Sequence, residues 1–412
     1  MTVSPQSTVK TARATAVLLA LAALLACGRA KESSPEDAAA TARDDADLGS
    51  DARAGDRDAA PTDAGTAPAH DANLSADGGV SSGGSSDAGG RDAGGLTEAG
   101  TAGRQDSLAA RVCGDGGGFA SPFPAGVNKL SAEAVGAEVY GFIEGPVWIA
   151  DQGVLLFSDM DMSGPDAQGP SARIRRLRPP ATFDVFAPSS NSNGLALSNE
   201  GALLAATHDN QGLSSFRLDT GVRTPITVLV DGKHFNSPND LTVRSDGTVY
   251  FTDPDWQLGP RARETGITGV YRVAPPLDLK GANNATLVEG TLLQPNGIAL
   301  SPDEETLYVG FSGSEIWKYD VASDGTLAGR TKFATIGGSN GSDGMTIDCA
   351  GNLYVTSRAV EVFAPSGTKL GEISLAGTPS NVAFGGADRK TLFITGGAHL
   401  YAVKMNVPGL PY

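Results

Sequence analysis

Six oxygen-bearing side chains recur along the chain, each at the start of a short apolar run. In chain order they are Glu144, Asn193, Asn239, Asn296, Asp343 and Asn381. Successive members lie 38 to 57 residues apart, and a repeat of this length is typical of architectures in which one supersecondary unit recurs. Carboxylate and amide oxygens are the ligands that Ca²⁺, Mg²⁺ and Mn²⁺ prefer. The pattern therefore predicts a divalent-cation site if the fold brings these positions together.

A turn is the alternative interpretation of the same residues. Asn-Gly and Asp-Gly are the commonest tight-turn dipeptides, because both residues tolerate a positive φ. The three members followed by glycine are Asn193, Asn296 and Asp343. Glu144 does not fit a turn, because glutamate is a poor turn former, and Asn239 precedes an aspartate. We keep both interpretations open and place Asn193 and Asn381 nearer to the turn.

The segments after these residues have the composition of β-strands. Runs such as "GALLAATH", "GTVYFTDP" and "EETLYVGFS" are bounded by Gly, Asn, Asp or Pro, and no long helical period is present. Each repeat contains about four strands, which matches a propeller blade. We therefore predict an all-β, six-bladed β-propeller over residues 111–412, with a two-sheet sandwich as the alternative. In a propeller the innermost strands would place the six side chains around one mouth of the channel.

The two ends of such a propeller must be joined. The run "LSAEAVGAEVYG", which precedes Glu144, is suited to form the outer strand of the sixth blade beside the C-terminal run "HLYAVKM". We therefore expect a strand from the start of the domain to pair with a strand from its end.

The first part of the chain is predicted to direct export rather than to fold. Residues 1–27 have the features of a signal peptide: Lys10 and Arg13 precede an apolar run that ends in "LLAC". That ending resembles a lipoprotein processing box and implies lipid on Cys27; an ordinary signal peptide is the alternative. Residues 28–110 are rich in Ala, Asp, Gly and Ser, which predicts a disordered tether. We expect an exported protein that is lipid-anchored to the bacterial cell envelope.

The net charge argues against one class of partner, and the cysteine content limits the possible cross-links and metal sites. The formal net charge is −16 and there is no basic patch, so no nucleic-acid partner is expected. Membrane contact is expected only through lipid on Cys27, and the protein is expected to be a monomer. Cys113 and Cys349 form either a disulfide or two buried thiols. No cysteine or histidine cluster has zinc-finger spacing.

Several motifs together resemble the SMP-30/gluconolactonase/LRE-like (regucalcin-like) family. They include "EGPVW", "NSPND", "GTVYFTDP", "QPNGIALSPDEETLYV" and "SDGMTIDCAGNLYV", in order from about Glu144 to Ala402. The resemblance implies a six-bladed propeller with one divalent cation in the channel mouth. Ca²⁺ is expected, with Mg²⁺, Mn²⁺ or Zn²⁺ as alternatives. It also implies hydrolysis of sugar lactones, so a small-molecule lactone is the expected partner.

The resemblance also assigns roles to individual residues. The family's metal ligands correspond to Glu144, Asn296 and Asp343, and the acid/base role falls on Asp343. Asn239 corresponds to a residue that contacts metal or substrate. His208 stands where lactonase-like members often carry a histidine, although Ala206-Thr207 replaces the usual Cys-Glu pair. Ser237 stands where the animal branch has an arginine, so that positive clamp is absent.

The predicted function is therefore a metal-dependent lactonase. Asp343 would activate water, Asn239 would orient the substrate and His208 would shuttle a proton. The absence of a "GxSxG" elbow argues against a serine triad. A phosphotriesterase on the same site and a non-enzymatic binding propeller are the alternatives.

The loop "FTDPDWQLGPRARETG" is a candidate lid. Trp256 and Phe235 are candidates for stacking on a substrate ring or for packing. Asp253 is expected to stabilise a turn.

Overall fold

The computed structural model describes residues 112–113, 118–164, 167–338 and 341–410. The predicted signal peptide (1–27), the lipid site at Cys27 and the tether (28–110) lie outside these residues. Within the described ranges, no helix has both the length and the apolar character needed to cross a membrane.

Nearly all regular structure in these ranges is β-strand, and the all-β prediction is confirmed. Two short strands come first: β1 Lys129–Ser131 and β2 Glu133–Ala134. The next two groups of four are β3 Phe142–Ile149, β4 Val154–Asp161, β5 Ser171–Arg178, β6 Thr182–Ala187, β7 Ser192–Leu197, β8 Leu203–Thr207, β9 Gly212–Phe216 and β10 Arg223–Leu229. A 3₁₀ turn, Ala150–Gln152, joins β3 to β4.

The remaining strands continue the same rhythm. They are β11 Leu241–Val243, β12 Val249–Asp253, β13 Gly269–Val273, β14 Ala282–Glu289, β15 Pro295–Leu300, β16 Thr306–Phe311, β17 Glu315–Val321 and β18 Leu327–Thr335. The last group is β19 Met345–Ile347, β20 Leu353–Thr356, β21 Val360–Phe363, β22 Lys369–Ser374, β23 Asn381–Gly385, β24 Thr391–Gly396 and β25 His399–Lys404.

Consecutive strands pair antiparallel to form four-stranded units. We number these units 1 to 5 from β3–β6, β7–β10, β11–β14, β15–β18 and β19–β22; unit 6 contains β23–β25. The outer strands of units 2 and 3 also pair, because β10 runs parallel to β14 from Thr227 to Leu229. These two units therefore share one eight-stranded sheet.

The N-terminal strands complete the last two units. β2 pairs antiparallel with β25, with Glu133 opposite Ala402. The expectation that the run before Glu144 supplies the outer strand of the last unit is confirmed. β1 adds a parallel fifth strand to unit 5 beside β22, a pairing that the sequence pattern did not indicate.

The units follow one another around a closed ring. The first strand of each unit contacts the first strand of the next, and β23 contacts β3. Apolar side chains fill the space between successive units. For example, Val147 of unit 1 packs with Leu195 of unit 2, and Phe393 of unit 6 packs with Trp148 of unit 1. Burial of each such side chain contributes about 1.5–3 kcal/mol, so the contacts between units hold the ring together.

A disulfide ties the start of the described region to unit 5. Cys113 is bonded to Cys349 across 236 residues of chain, and both pack on the apolar cluster between units 4 and 5. Of the two alternatives for these cysteines, the disulfide is confirmed. A cross-link over so long a loop stabilises mainly by restricting the unfolded chain.

Replacing Cys113 and Cys349 together by serine should lower the free energy of unfolding by roughly 2–5 kcal/mol, because the unfolded chain regains the lost entropy. Urea unfolding of the purified protein measures this change. Reducing agent should produce a similar loss in the wild type and no further loss in the double variant. Equal stability of the wild type and the double variant would contradict the prediction.

Candidate functional site

The first strands of units 1, 2 and 4 carry β-bulges at the predicted site residues. The register with the neighbouring strand shifts between Glu144 and Val147, between Ser192 and Leu195, and between Pro295 and Ile298. A bulge bends a strand and re-aims the side chains beside it. Glu144, Asn193 and Asn296 each lie inside one of these bulges.

The glycines after the site residues are required by crowding between units. A Cβ on Gly145, Gly194, Gly297 or Gly344 would lie less than 3.0 Å from the next unit. Among these four, only Gly145 has a positive φ, of 55°. The turn interpretation of Asn193 and Asn381 is wrong, because both are buried residues of strands β7 and β23.

Glu144 is a buried carboxylate with only 5% of its surface exposed. Its Oε2 accepts a hydrogen bond from the Gly145 N–H at 3.2 Å, and the Asn381 side chain also stabilises its charged form. Burial, followed by repulsion from Asp343 and Asp240, raises the pKa of Glu144 well above its ordinary value. Glu144, Asp240 and Asp343, which belong to units 1, 3 and 5, are therefore close enough for their charges to repel one another.

Asn296 and Asp343 are in direct contact across units 4 and 5. The Asn296 Nδ2 donates to Asp343 Oδ1 at 2.7 Å, so the Asn296 Oδ1 is the amide atom that can face a cation. Burial raises the pKa of Asp343 to about 7, although the bond from Asn296 acts in the opposite direction. Asp343 as a whole is partly buried, and the rise in its pKa shows that the carboxyl group itself is largely removed from solvent.

Unit 3 contributes both Asn239 and a carboxylate that sequence reasoning missed. Asn239 is 7% exposed, and its backbone N–H donates to Thr252 O at 2.9 Å. The next residue, Asp240, is also buried, and burial raises its pKa to about 7. No local signal in "SPND" distinguishes Asp240, because adjacent side chains in an extended segment point to opposite sides.

These side chains fit a hard divalent cation. In the described part of the chain, no group of three or more His, Cys, Asp and Glu side chains is arranged as a metal site, so any site must include amide oxygens. The asparagine residues at the start of the other units provide these amide oxygens beside Glu144 and Asp343. The Oδ1 of Asn193 is buried with no hydrogen-bond partner among the described residues, which is costly unless another group binds it. A cation would also offset the repulsion that raises the carboxyl pKa values.

His208 lies beside the candidate lid and next to the segment that leads to Asn193. It directly follows β8 and is buried. Its backbone N–H donates to Asn191 O at 3.0 Å. Its carbonyl accepts from Arg261 Nη1 at 2.7 Å. The same arginine donates to the carbonyls of Leu258 and Gln257, so His208 is part of the support of the lid. Its role in proton transfer stays a prediction.

Ser237, which stands where the animal branch of the family has an arginine, helps to anchor this lid. The buried Ser237 Oγ donates to Pro254 O at 2.8 Å and accepts from the Gln257 N–H at 3.2 Å. Asp253 accepts from the backbone N–H groups of Asn236 and Ser237 at 2.9 and 2.8 Å. The expectation that Asp253 stabilises a turn is confirmed. Burial nevertheless raises the pKa of Asp253 to about 8.

The far side of the lid is tied to the segment that leads to Asn296. The Asp255 N–H donates to Gln294 Oε1 at 2.9 Å, and the Gln294 amide donates back to the Asp255 side chain. Arg263 forms an ion pair with the same carboxylate. The candidate lid and the loop before β15 are therefore held together.

The two candidate aromatic residues have different surroundings. Phe235 is fully buried and packs edge-on against Phe251 and Tyr271, so it belongs to the core between units 2 and 3. Trp256 is 41% exposed on the lid. Only Trp256 remains a candidate for contact with a ligand.

Comparison with known proteins identifies the family. The model of the SMP-30/gluconolactonase/LRE-like region matches residues 142–398, and the chain belongs to this family. It is 32% identical over 299 residues to a gluconolactonase of Zymomonas mobilis, covering 65% of this chain and 79% of that protein. A lactonohydrolase of Aspergillus oryzae is 26% identical over 309 residues, covering 65% of this chain and 68% of that protein.

Solved structures show the same fold. A gluconolactonase from Xanthomonas campestris superposes with a TM-score of 0.58 at 30% identity, covering 69% of this chain and 99% of that one. A calcium-binding regucalcin from Agrobacterium tumefaciens gives a TM-score of 0.55 at 20% identity, covering 69% and 97%; this likeness concerns the fold alone.

Replacing each of the two aromatic residues by alanine should affect stability very differently. Phe235→Ala should lower the free energy of unfolding by about 3–5 kcal/mol, because it leaves a cavity between units. Trp256→Ala should change it by less than about 0.5 kcal/mol, because the side chain is half-exposed. Thermal and urea unfolding of both variants measure the difference. A large loss of stability in the Trp256 variant would show that Trp256 is a packing residue.

Proposed function

We propose that this protein is a divalent-cation-dependent lactonase whose site is the mouth of a six-bladed propeller. The observation that carries the proposal is the direct contact of Asn296 with Asp343 beside the buried Glu144. Membership of the family and similarity to a gluconolactonase and a lactonohydrolase support the reaction class. The oxygen donors of Glu144, Asn296 and Asp343 agree with Ca²⁺ as the cation.

We infer that the six four-stranded units are six blades around one axis. Their first strands contact one another in order, and β23 returns to β3. A narrow cavity of about 20 Å³ is lined by residues of all six first strands or the turns just before them, including Gly145, Leu195, Asp240, Ile298 and Met345. Such a cavity on the common axis is expected of a propeller channel.

Glu144, Asn296 and Asp343 would hold the cation, with Asn239 beside it. A bound divalent cation would supply Lewis acidity to the lactone carbonyl and stabilise charge on its oxygen. The Asn296 N–H fixes one Asp343 oxygen at 2.7 Å, which orients the carboxylate toward the mouth. The Asn239 side chain would orient the substrate by hydrogen bonding.

Asp343 is the base in this proposal. In its ionised form it accepts a proton from water as the water oxygen bonds to the carbonyl carbon. The ring carbon–oxygen bond then breaks, and the proton passes to the departing ring oxygen, so the product is a hydroxy acid. His208, beside the lid, would relay the proton between the site and solvent.

The substrate is inferred to be a sugar lactone, in line with the gluconolactonase relatives. Ser237 lies next to the lid, and its hydroxyl is hydrogen-bonded to the backbone of Pro254 and Gln257. Recognition at this place would therefore depend on the lid and on Asn239, and not on a cationic side chain.

We also infer export to the cell envelope. The disulfide between Cys113 and Cys349 supports an oxidising compartment, where such bonds persist. Lipid attachment at Cys27 belongs to the same proposal and is tested by metabolic labelling with a fatty acid.

The function is tested by assaying Asp343→Asn against aldonolactones with saturating Ca²⁺. The expected result is a loss of kcat of at least about a hundredfold, because the amide cannot accept the proton. The variant should still bind Ca²⁺ measurably. Asp219→Asn, at an exposed ion pair with Arg217, is the control and should retain full activity.

Two outcomes would contradict the function. One is full activity of the Asp343 variant, which would remove its role as the base. The other is a wild-type protein that binds Ca²⁺ but hydrolyses no lactone in a broad panel. Turnover of phosphotriesters in that second case would favour the other hydrolase chemistry.

Cation affinity should depend on pH in a defined direction. The pKa of Asp343 is raised to about 7, so this carboxyl binds a proton as the pH falls below neutrality in the cation-free protein. The pKa of Glu144 is raised in the same direction. A cation binds the carboxylate form and displaces those protons. Calorimetric titration with Ca²⁺ should therefore show affinity rising from pH 5.5 to 8, by up to about tenfold per pH unit for each proton displaced. An affinity that does not change over this range would contradict the assignment.

A further inference from the structure

Asp240 has an unusual number of contacts for a side chain outside the expected ligand set. Its Oδ1 accepts from the Leu241 N–H at 3.0 Å, and the Ile298 N–H and the Asn381 side chain also stabilise its charged form. A Cβ on Gly194 would lie 2.6 Å from the same Oδ1. One buried carboxylate of unit 3 therefore touches units 2, 4 and 6.

Asn381 connects this carboxylate to Glu144. Its Oδ1 accepts from the Val382 N–H at 2.8 Å, and its backbone N–H donates to Thr395 Oγ1 at 2.9 Å. The bond from Val382 fixes the plane of the amide and leaves the two protons of Nδ2 for other acceptors. Ser380 Oγ donates to Ile143 O at 2.8 Å, which brings the next residues, Asn381 and Glu144, together, and Asn381 and Asp240 line the same cavity. Hydrogen bonding by the Asn381 side chain favours the charged forms of both Glu144 and Asp240.

We propose that Asp240 and Asn381 are positioning residues that hold the Glu144 carboxylate in the orientation that binds the divalent cation. This inference rests on the proposed function, because it concerns the cation of that site. Asp240 receives one amide proton of Asn381 and so directs the other toward Glu144. Asp240 Oδ1 also accepts from the Leu241 N–H at 3.0 Å, and in this proposal Asp240 acts on the cation only through Asn381 and Glu144.

The arrangement answers a physical difficulty at the axis. Glu144 is repelled by Asp343 and Asp240, and its other hydrogen bond in the described structure comes from the adjacent Gly145 N–H. An unrestrained glutamate under that repulsion would turn away from the other carboxylates. An amide shared between two carboxylates holds them near each other without adding charge. Loss of a partner that orients a metal ligand typically lowers metal affinity 10–100-fold.

The experiment measures Ca²⁺ binding to the whole purified protein after treatment with a chelator. Isothermal titration with Ca²⁺ alone compares the wild type with Asn381→Leu and Asp240→Asn. Leucine preserves the approximate volume of Asn381 and removes both amide protons. We expect each variant to bind Ca²⁺ 10–100-fold more weakly, and the double variant to be no worse than the weaker single variant by more than about threefold, because both act through one path.

Asp348→Asn is the matched control. Asp348 is a buried carboxylate just after β19, bonded to Asn352 Nδ2 at 2.9 Å and to the Tyr354 hydroxyl at 3.0 Å. It lies five residues beyond Asp343, at the opposite end of the same strand. Its exchange should lower the cation-free melting temperature, as loss of any buried network does, and should leave the Ca²⁺ affinity within about threefold.

The outcomes separate this inference from the proposed function. A wild type that does not bind Ca²⁺ overturns both. A wild type that binds Ca²⁺, with Asn381→Leu and Asp240→Asn binding it equally well, overturns the positioning role alone. If Asp240→Asn does not fold, Asn381→Leu and the milder Asn381→Ser carry the test. Lactonase activity that recovers in these variants at high Ca²⁺ supports positioning, whereas a loss in kcat that persists at saturating Ca²⁺ contradicts it.

Discussion

The six first strands approach one another so closely near the axis that glycine must follow most of the site residues. A Cβ on Gly145, Gly194, Gly297 or Gly344 would come within 3.0 Å of the neighbouring unit. The same approach brings backbone to backbone, as in the bond of 2.7 Å from the Gly194 N–H to Asn239 O. This crowding leaves little volume on the axis. Polar side chains that point there must interact with one another or with something bound between them.

The electrostatics of the site follow from that confinement. Glu144, Asp240 and Asp343 come from different units. Burial raises the pKa of each of them, and repulsion from neighbouring carboxylates adds to the rise at Glu144 and Asp343. Amide side chains separate the carboxylates: Asn296 beside Asp343, and Asn381 between Glu144 and Asp240. An arrangement that is costly as three free anions becomes favourable around a divalent cation.

Much of the fold was predictable, because each unit is built from strands that are consecutive in the sequence and that show their own local pattern. The strand pattern, the recurrence of the oxygen-bearing residues and the closing strand before Glu144 all appear in the chain. The parallel pairing of β1 with β22 was not predictable, because three residues of moderate apolarity carry no information about a distant partner. The alternative of two free thiols at Cys113 and Cys349 could be removed only by placing them side by side.

The site was predictable in its members but not in their relations. Glu144, Asn296 and Asp343 were chosen from residue type and from resemblance, and the structure brings them into one neighbourhood. The sequence favours a turn over a site at Asn193, because Asn-Gly usually marks a turn, and at Asn381, because Asn-Val has no distinguishing pattern. Asp240 was overlooked, since only the fold shows that it faces three other units. The reach of one side chain across an axis depends on packing that a linear pattern does not contain.

The central claim is that the ring around Glu144, Asn296 and Asp343 holds a divalent cation. The most direct measurement is the anomalous diffraction of crystals grown with Mn²⁺, which can replace Ca²⁺ at oxygen ligands. The account predicts one strong anomalous peak on the axis, about 2.0–2.6 Å from oxygens of all three side chains. No peak at the ring, or a peak bound only by surface carboxylates elsewhere, would contradict it.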